Sequence, residues 1–155
     1  MPKIRWFMLV LGMGMLIPTI LRQELWCAII AFVLGLPCGL MIDFIGSKIL
    51  KLWDYNGGFA LGYFLITLPC WGIFSMTVNL LWNWIRKPWA FIIIAIVLFG
   101  YLELPNLETK SWSYSVPLWF VAIGWFPLVL GFRIVYILFL QLLDRYALNA
   151  KRKEG

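Results

Sequence analysis

The sequence predicts an all-α fold, a polytopic transmembrane helical bundle of about five spans carrying a tandem parallel helix–linker–helix repeat. Three observations lead there. First, 63% of the 155 residues are hydrophobic and only 13% are charged. A soluble domain of this length could not hide so much apolar surface, so lipid is the natural solvent for the rest. Second, the charges cluster and leave long uncharged runs: 16 residues between Arg5 and Arg22, 18 from Leu25 to Ile42, 31 from Tyr55 to Ile85, 15 from Pro88 to Leu102, and 22 from Ser111 to Phe132. A spanning helix needs about 17–25 such residues. Third, a motif occurs twice. Trp53-Asp54-Tyr55 and Trp112-Ser113-Tyr114 each follow a lysine (Lys51, Lys110) by two positions and an acid (Asp43, Glu103) by 10 and 9, and precede a proline (Pro69, Pro127) by 16 and 15.

The elements follow in chain order within one integral membrane domain, residues 1–155. Residues 1–22 form an extra N-terminal helix, centred on Trp6–Leu21. Its basic start (Lys3, Arg5) resembles a signal peptide, but Ile17-Pro18-Thr19-Ile20 is no small-residue cleavage site, so the helix is read as retained. Residues 25–86 are repeat unit one: a helix from Leu25, a linker Asp43–Asp54, and a helix ending near Ile85. Residues 88–144 are unit two: the run Pro88–Leu102, a linker Glu103–Thr109 extended to Tyr114, and a helix ending near Leu143. Residues 145–155 are a basic tail with Lys151-Arg152-Lys153. Two spans per unit make both units face the same way, so the repeat is parallel rather than inverted. Agreement extends past the prolines, since Phe74 and Phe132 each follow by five residues and Asn83 and Gln141 by fourteen.

Orientation follows from Lys and Arg. With the C-terminus in the cytoplasm, seven of these residues lie inside (Arg22, Arg86, Lys87, Arg145, Lys151, Arg152, Lys153) and five outside (Lys3, Arg5, Lys48, Lys51, Lys110). Both Trp-x-Tyr linkers then share one face, at the boundary where amphipathic rings partition. The expected location is a prokaryotic cell membrane. The net charge of +6 sits at helix ends, which fits contact with anionic lipid headgroups and no nucleic acid. Partners are therefore membrane lipids, with a homo-oligomer or a membrane complex as the protein-level alternatives.

Pro69 and Pro127 fall well inside their spans. Each removes a backbone hydrogen bond and bends its helix, with Thr67 near enough to help at Pro69. A bend repeated in the third and fifth spans either opens a cavity toward the linkers or only tunes packing. Arg133 is the one charge deep in a span and costs at least about 2.5–3.5 kcal/mol there. It reads either as an anchor for an anionic group or as a snorkelling side chain. Ser75, Asn79 and Asn83 repeat every four residues and make a polar stripe, suited to interhelical hydrogen bonds or to a solute path. Gly35-x-x-x-Gly39 suits close helix approach, within the chain or in a dimer; Gly12-x-Gly14 is similar. Cys27, Cys38 and Cys70 lie in apolar runs, give no disulfide framework, and read as packing residues. With no histidine, the commonest metal ligand and general base are missing. No metal and no cofactor are expected.

The order of acid, Trp-x-Tyr and an apolar run to proline resembles the lycopene cyclase domain of bacterial, archaeal and fungal carotenoid synthesis. The likeness rests on Asp43, Trp53, Tyr55, Leu68-Pro69, Glu103, Trp112, Tyr114 and Pro127, between roughly residues 35 and 135. It implies tandem small helical units. That family places paired carboxylates after the proline. This chain has Trp71-Gly72 and Leu128-Val129 there, so the resemblance implies the fold without the cyclase activity, whose chemistry needs an acid in a dry site.

The expected function is binding of an apolar isoprenoid or lipid ligand between kinked helices, by Asp43, Trp53, Tyr55, Pro69, Glu103, Trp112, Tyr114, Pro127 and Arg133. Two alternatives stand beside it. One is a small-solute transporter acting as an oligomer, through Arg133 and the Ser75–Asn79–Asn83 stripe. The other is a non-catalytic subunit of a membrane complex. A non-enzyme is favoured, and any enzyme would be an isoprenoid-modifying one.

Overall fold

A computed structural model describes Val10, Gly14 and residues 17–55, 63–109 and 112–153. The fold is all-α. A helical stretch over residues 17–21 is followed by α1 (Leu25–Phe44), which runs into a π-helical turn, Ile45–Ile49. Strand β1 (Trp53–Tyr55) follows. A second π-helical turn (Tyr63–Thr67) leads into α2 (Leu68–Ile85), then come α3 (Ala90–Thr109), β2 (Trp112–Tyr114) and α4 (Leu118–Lys153). Three helical segments are long and apolar enough to cross a membrane: Leu25–Ile49, Tyr63–Ile85 and Leu118–Tyr146. The described apolar part of α3 is shorter, Ala90–Phe99. Most of the expected first span, with Lys3, Arg5 and Gly12, lies outside the described residues, as does Lys110.

Small residues set the tightest helix pair. Ala28, Ala31, Gly35, Gly39 and Asp43 are the buried residues of α1. Their spacing of three and then four keeps them on one face. A Cβ on Gly35 would lie 2.6 Å from the Trp71 carbonyl oxygen and 2.9 Å from the Gly72 Cα, and one on Gly39 would overlap the Trp71 ring. The Gly35-x-x-x-Gly39 pair therefore serves packing of α1 on α2 inside the chain. The main core joins Phe74 and Val78 of α2, Ile94 and Leu98 of α3, and Val129 and Phe132 of α4. Outward residues such as Trp26, Leu65, Ile96 and Trp119 are apolar and exposed, as lipid-facing residues are.

Strands β1 and β2 pair antiparallel, with Trp53 opposite Tyr114, Asp54 opposite Ser113 and Tyr55 opposite Trp112. Each tryptophan thus faces the other strand's tyrosine. The Ser115 N–H extends the pairing by donating to the Leu52 carbonyl at 2.9 Å. The two Trp-x-Tyr segments, expected on a common face, lie side by side at one end of the bundle. At the other end, Arg86 closes α2 in the left-handed region (φ 52°) and the chain turns directly into α3.

Four features differ from the sequence expectation. The linker Asp43–Asp54 is helical as far as Ile49, since the first long helix runs through Phe44 into the π-helical turn. The linker Glu103–Thr109 is helical, because α3 continues to Thr109 through Pro105. A single proline removes one hydrogen bond but does not end a helix whose neighbours keep helical dihedrals. Pro69 lies in the first turn of α2, beside the π-helical turn, rather than within a regular helix; the first turn tolerates a missing N–H. The basic tail from residue 145 is not separate, since α4 runs unbroken to Lys153. No glycine or proline interrupts residues 134–153, and leucine, alanine, lysine and arginine favour the helix.

Candidate functional site

Asp43 ends the inward stripe of α1, and its side chain is fully buried. Three donors converge on it. Tyr55 Oη donates to Oδ1 at 2.7 Å, Tyr63 Oη to Oδ2 at 2.7 Å, and Trp71 Nε1 to the same Oδ2. The π-helical turn after α1 makes this possible. It carries Gly46 beneath the Trp53 ring, where a Cβ would overlap the indole, and the Leu52 N–H returns to the Gly46 carbonyl at 2.8 Å. The close approach swings β1 back over Asp43.

Glu103 occupies the matching place under β2. Because α3 continues past it, its carboxyl lies inside the bundle, 2% exposed. Oε1 accepts from Tyr114 Oη at 2.7 Å and from Trp125 Nε1 at 3.2 Å, and Tyr114 Oη in turn accepts from Trp112 Nε1 at 2.7 Å. Among the described residues, Oε2 has no hydrogen-bond partner. The two clusters touch through the strands, where Tyr55 and Trp112 meet edge to face at 6.4 Å. Burial first, and then the neighbouring Asp43 carboxylate, pushes the Tyr55 phenol far above its ordinary pKa. Burial and the Glu103 carboxylate do the same to Tyr114. Both phenols therefore stay protonated donors at physiological pH.

Beneath the strand pair lies a cavity of about 270 Å³. One wall comes from Thr67 of the π-helical turn and from α2 (Cys70, Trp71, Phe74), and the other from α4 (Phe120, Val121, Gly124, Trp125, Leu128). Trp53, Tyr55, Trp112 and Tyr114 line its strand side, and Asp43 and Glu103 are its carboxylic residues. At Gly124 a Cβ would meet nothing within 4 Å. An apolar chamber with a few convergent polar groups is the usual form of a small-molecule site. Carboxyls in such a setting can take a hydrogen bond from a ligand or exchange a proton with it.

Of the residues expected at a site, the structure brings six together around this cavity: Asp43, Trp53, Tyr55, Glu103, Trp112 and Tyr114. Pro69 is half-buried and Pro127 exposed, and neither lines the cavity. Arg133 is absent from it and lies with Asn83 at a second pocket, beside the α2–α3 turn. The polar stripe divides: Ser75 and Asn79 are buried, with Asn79 Nδ2 donating to the Ser75 carbonyl at 2.9 Å. Three contributors are not among the residues expected at a site: Tyr63, Trp71 and Trp125. The two indole donors do not align in the repeat, as Trp71 follows its proline by two residues and Trp125 precedes its own by two. Among the described residues, no three of His, Cys, Asp and Glu gather as a metal-ligand set.

No family model, curated protein or solved structure matches this chain.

Proposed function

We propose that this chain is an integral membrane protein that holds an apolar isoprenoid or lipid chain in the cavity between α2 and α4, with a hydroxyl or similar polar end at Glu103. The observation that carries this reading is the composition of the chamber: aromatic and aliphatic walls, with carboxylic residues only at Asp43 and Glu103. A water-soluble ligand would find few partners there, whereas an apolar chain replaces nothing it needs. Asp43 has donors on both oxygens, but Glu103 Oε2 has none. A buried acceptor without a donor costs free energy, and a ligand hydroxyl would supply the missing bond. In the orientation that fits this reading, the strand pair faces outward, and Arg22, Arg86, Lys87 and Arg145 face the cytoplasm.

Mass spectrometry of apolar material that co-purifies with the protein tests the proposal. Gly124→Leu places a larger side chain on the cavity wall, at a position where a Cβ would meet nothing within 4 Å. The wild type should carry a defined isoprenoid or lipid that this variant loses while remaining folded. Bulk phospholipid alone, unchanged by Gly124→Leu, would refute the reading.

A further inference from the structure

We propose that the pocket bounded by Arg133, Arg86 and Lys87, at the end of the bundle opposite the strand pair, binds a phosphate-bearing anion. The proposal does not depend on the apolar-ligand reading.

The pocket encloses about 400 Å³ and is completed by Glu24, Trp82, Asn83 and Pro88. Arg133 reaches it from α4. Its guanidinium lies 5.6 Å from the Trp82 ring centroid and 5.7 Å from that of Tyr136. Two aromatic faces orient a guanidinium well, and arginine stacks on such faces more readily than lysine. They carry no formal negative charge. The hydrogen bonding of Arg133 is thin among the described residues: Nη1 meets Asn79 Oδ1 at 3.3 Å, and the buried Nε has no partner. A snorkelling arginine would keep its head in water. Here one donor is shut away from water and unmatched, which is costly unless an acceptor is bound.

The α2–α3 turn adds two more cations. Arg86 spends Nε on the Asn83 carbonyl at 3.0 Å, an intrachain bond that holds the side chain along the turn. Lys87 follows directly and is exposed. Among the described residues, the only acid at the pocket is Glu24, and its Oε2 already accepts from Trp84 Nε1 at 2.7 Å. Three cations against one engaged carboxylate leave an excess of positive charge around a polar hollow. A planar arginine fork with flanking point charges suits phosphate oxygens, whose charge and multiple acceptors match both. Two sources share this chemistry: the headgroup of an anionic phospholipid and a free phosphate group.

The test uses the full chain in nanodiscs of phosphatidylcholine, with either phosphatidylglycerol in the bilayer or inorganic phosphate in solution. Bound lipid is read by native mass spectrometry and phosphate by the shift in melting midpoint. Retention of phosphatidylglycerol over phosphatidylcholine identifies a headgroup, and a shift with inorganic phosphate in pure phosphatidylcholine identifies a soluble anion. Either supports the site, provided Arg133→Gln weakens binding about tenfold or more and Arg145→Gln, an exposed arginine further along α4, does not. If Arg133→Gln fails to fold, Arg86→Gln with Lys87→Gln carries the comparison, as both are exposed. Binding of neither probe, or equal binding by wild type and these variants, would overturn the proposal.

Discussion

Phe74 and Phe132 meet edge to face with ring centroids 5.0 Å apart, each five residues past the proline of its own segment. The strand pair has the same character, since Asp54 and Ser113 are central in their motifs and lie opposite each other. Both contacts join positions that correspond in the expected repeat. The Phe74–Phe132 contact should therefore carry coupling energy. In a double-mutant cycle to leucine, we expect about 0.5–1.5 kcal/mol between the two positions. Additive losses in chemical unfolding would remove the pair from the core's account.

The two carboxyls should respond unequally to amide replacement. Asp43→Asn leaves one of three converging donors facing an NH₂ group, so a loss of about 1–3 kcal/mol is expected. Glu103→Gln can keep its carbonyl toward Tyr114 and Trp125 and put the NH₂ where no donor points, for a loss below about 1 kcal/mol. Thermal or denaturant unfolding of both variants in the same detergent measures the difference. Equal losses would contradict the assignment of hydrogen bonds.

Glycine replacements separate tight packing from open space. Gly35→Ala drives a methyl against the Trp71 carbonyl and the Gly72 backbone and should cost about 1–3 kcal/mol. Gly124→Ala meets nothing and should gain about 0.5–1 kcal/mol from helix propensity alone. Melting midpoints moving in opposite directions would bear this out.

Raised phenol pKa values make stability fall at high pH. Tyr55 and Tyr114 titrate above the unfolded value of about 10, so the folded state holds their protons more tightly. Their contribution is complete below about pH 10 and is lost as the pH rises toward the folded pKa. A melting curve taken from about pH 8 to pH 11 should decline more steeply for the wild type than for Tyr114→Phe. Parallel declines would count against the buried phenol.

Much of this arrangement was legible in the residues. The recurring Trp-x-Tyr segments and the acid ahead of each, Asp43 and Glu103, are visible in the sequence, and Gly35-x-x-x-Gly39 marks a close helix approach. The tryptophan donors were not legible. Trp71 and Trp125 sit on opposite sides of their prolines, a displacement of four residues and about one helical turn, which leaves each indole on the cavity-facing side but breaks the sequence alignment. Nor does the sequence show that Arg133, set in an apolar run, lines the same pocket as Arg86 and Lys87. Run length locates apolar residues but not the level at which neighbouring helices stop.

The most direct measurement is a cross-link between the two strands. Cysteines replacing Asp54 and Ser113, in a chain whose Cys27, Cys38 and Cys70 are changed to alanine, occupy directly opposed positions with Cα atoms about 4.5–5.5 Å apart, within disulfide range. Mild oxidation in native membranes should join them within the chain, while a pair at Asp54 and Arg86 should stay reduced. Failure of the first pair to form, or equal formation of both, would contradict the shared roof over the cavity.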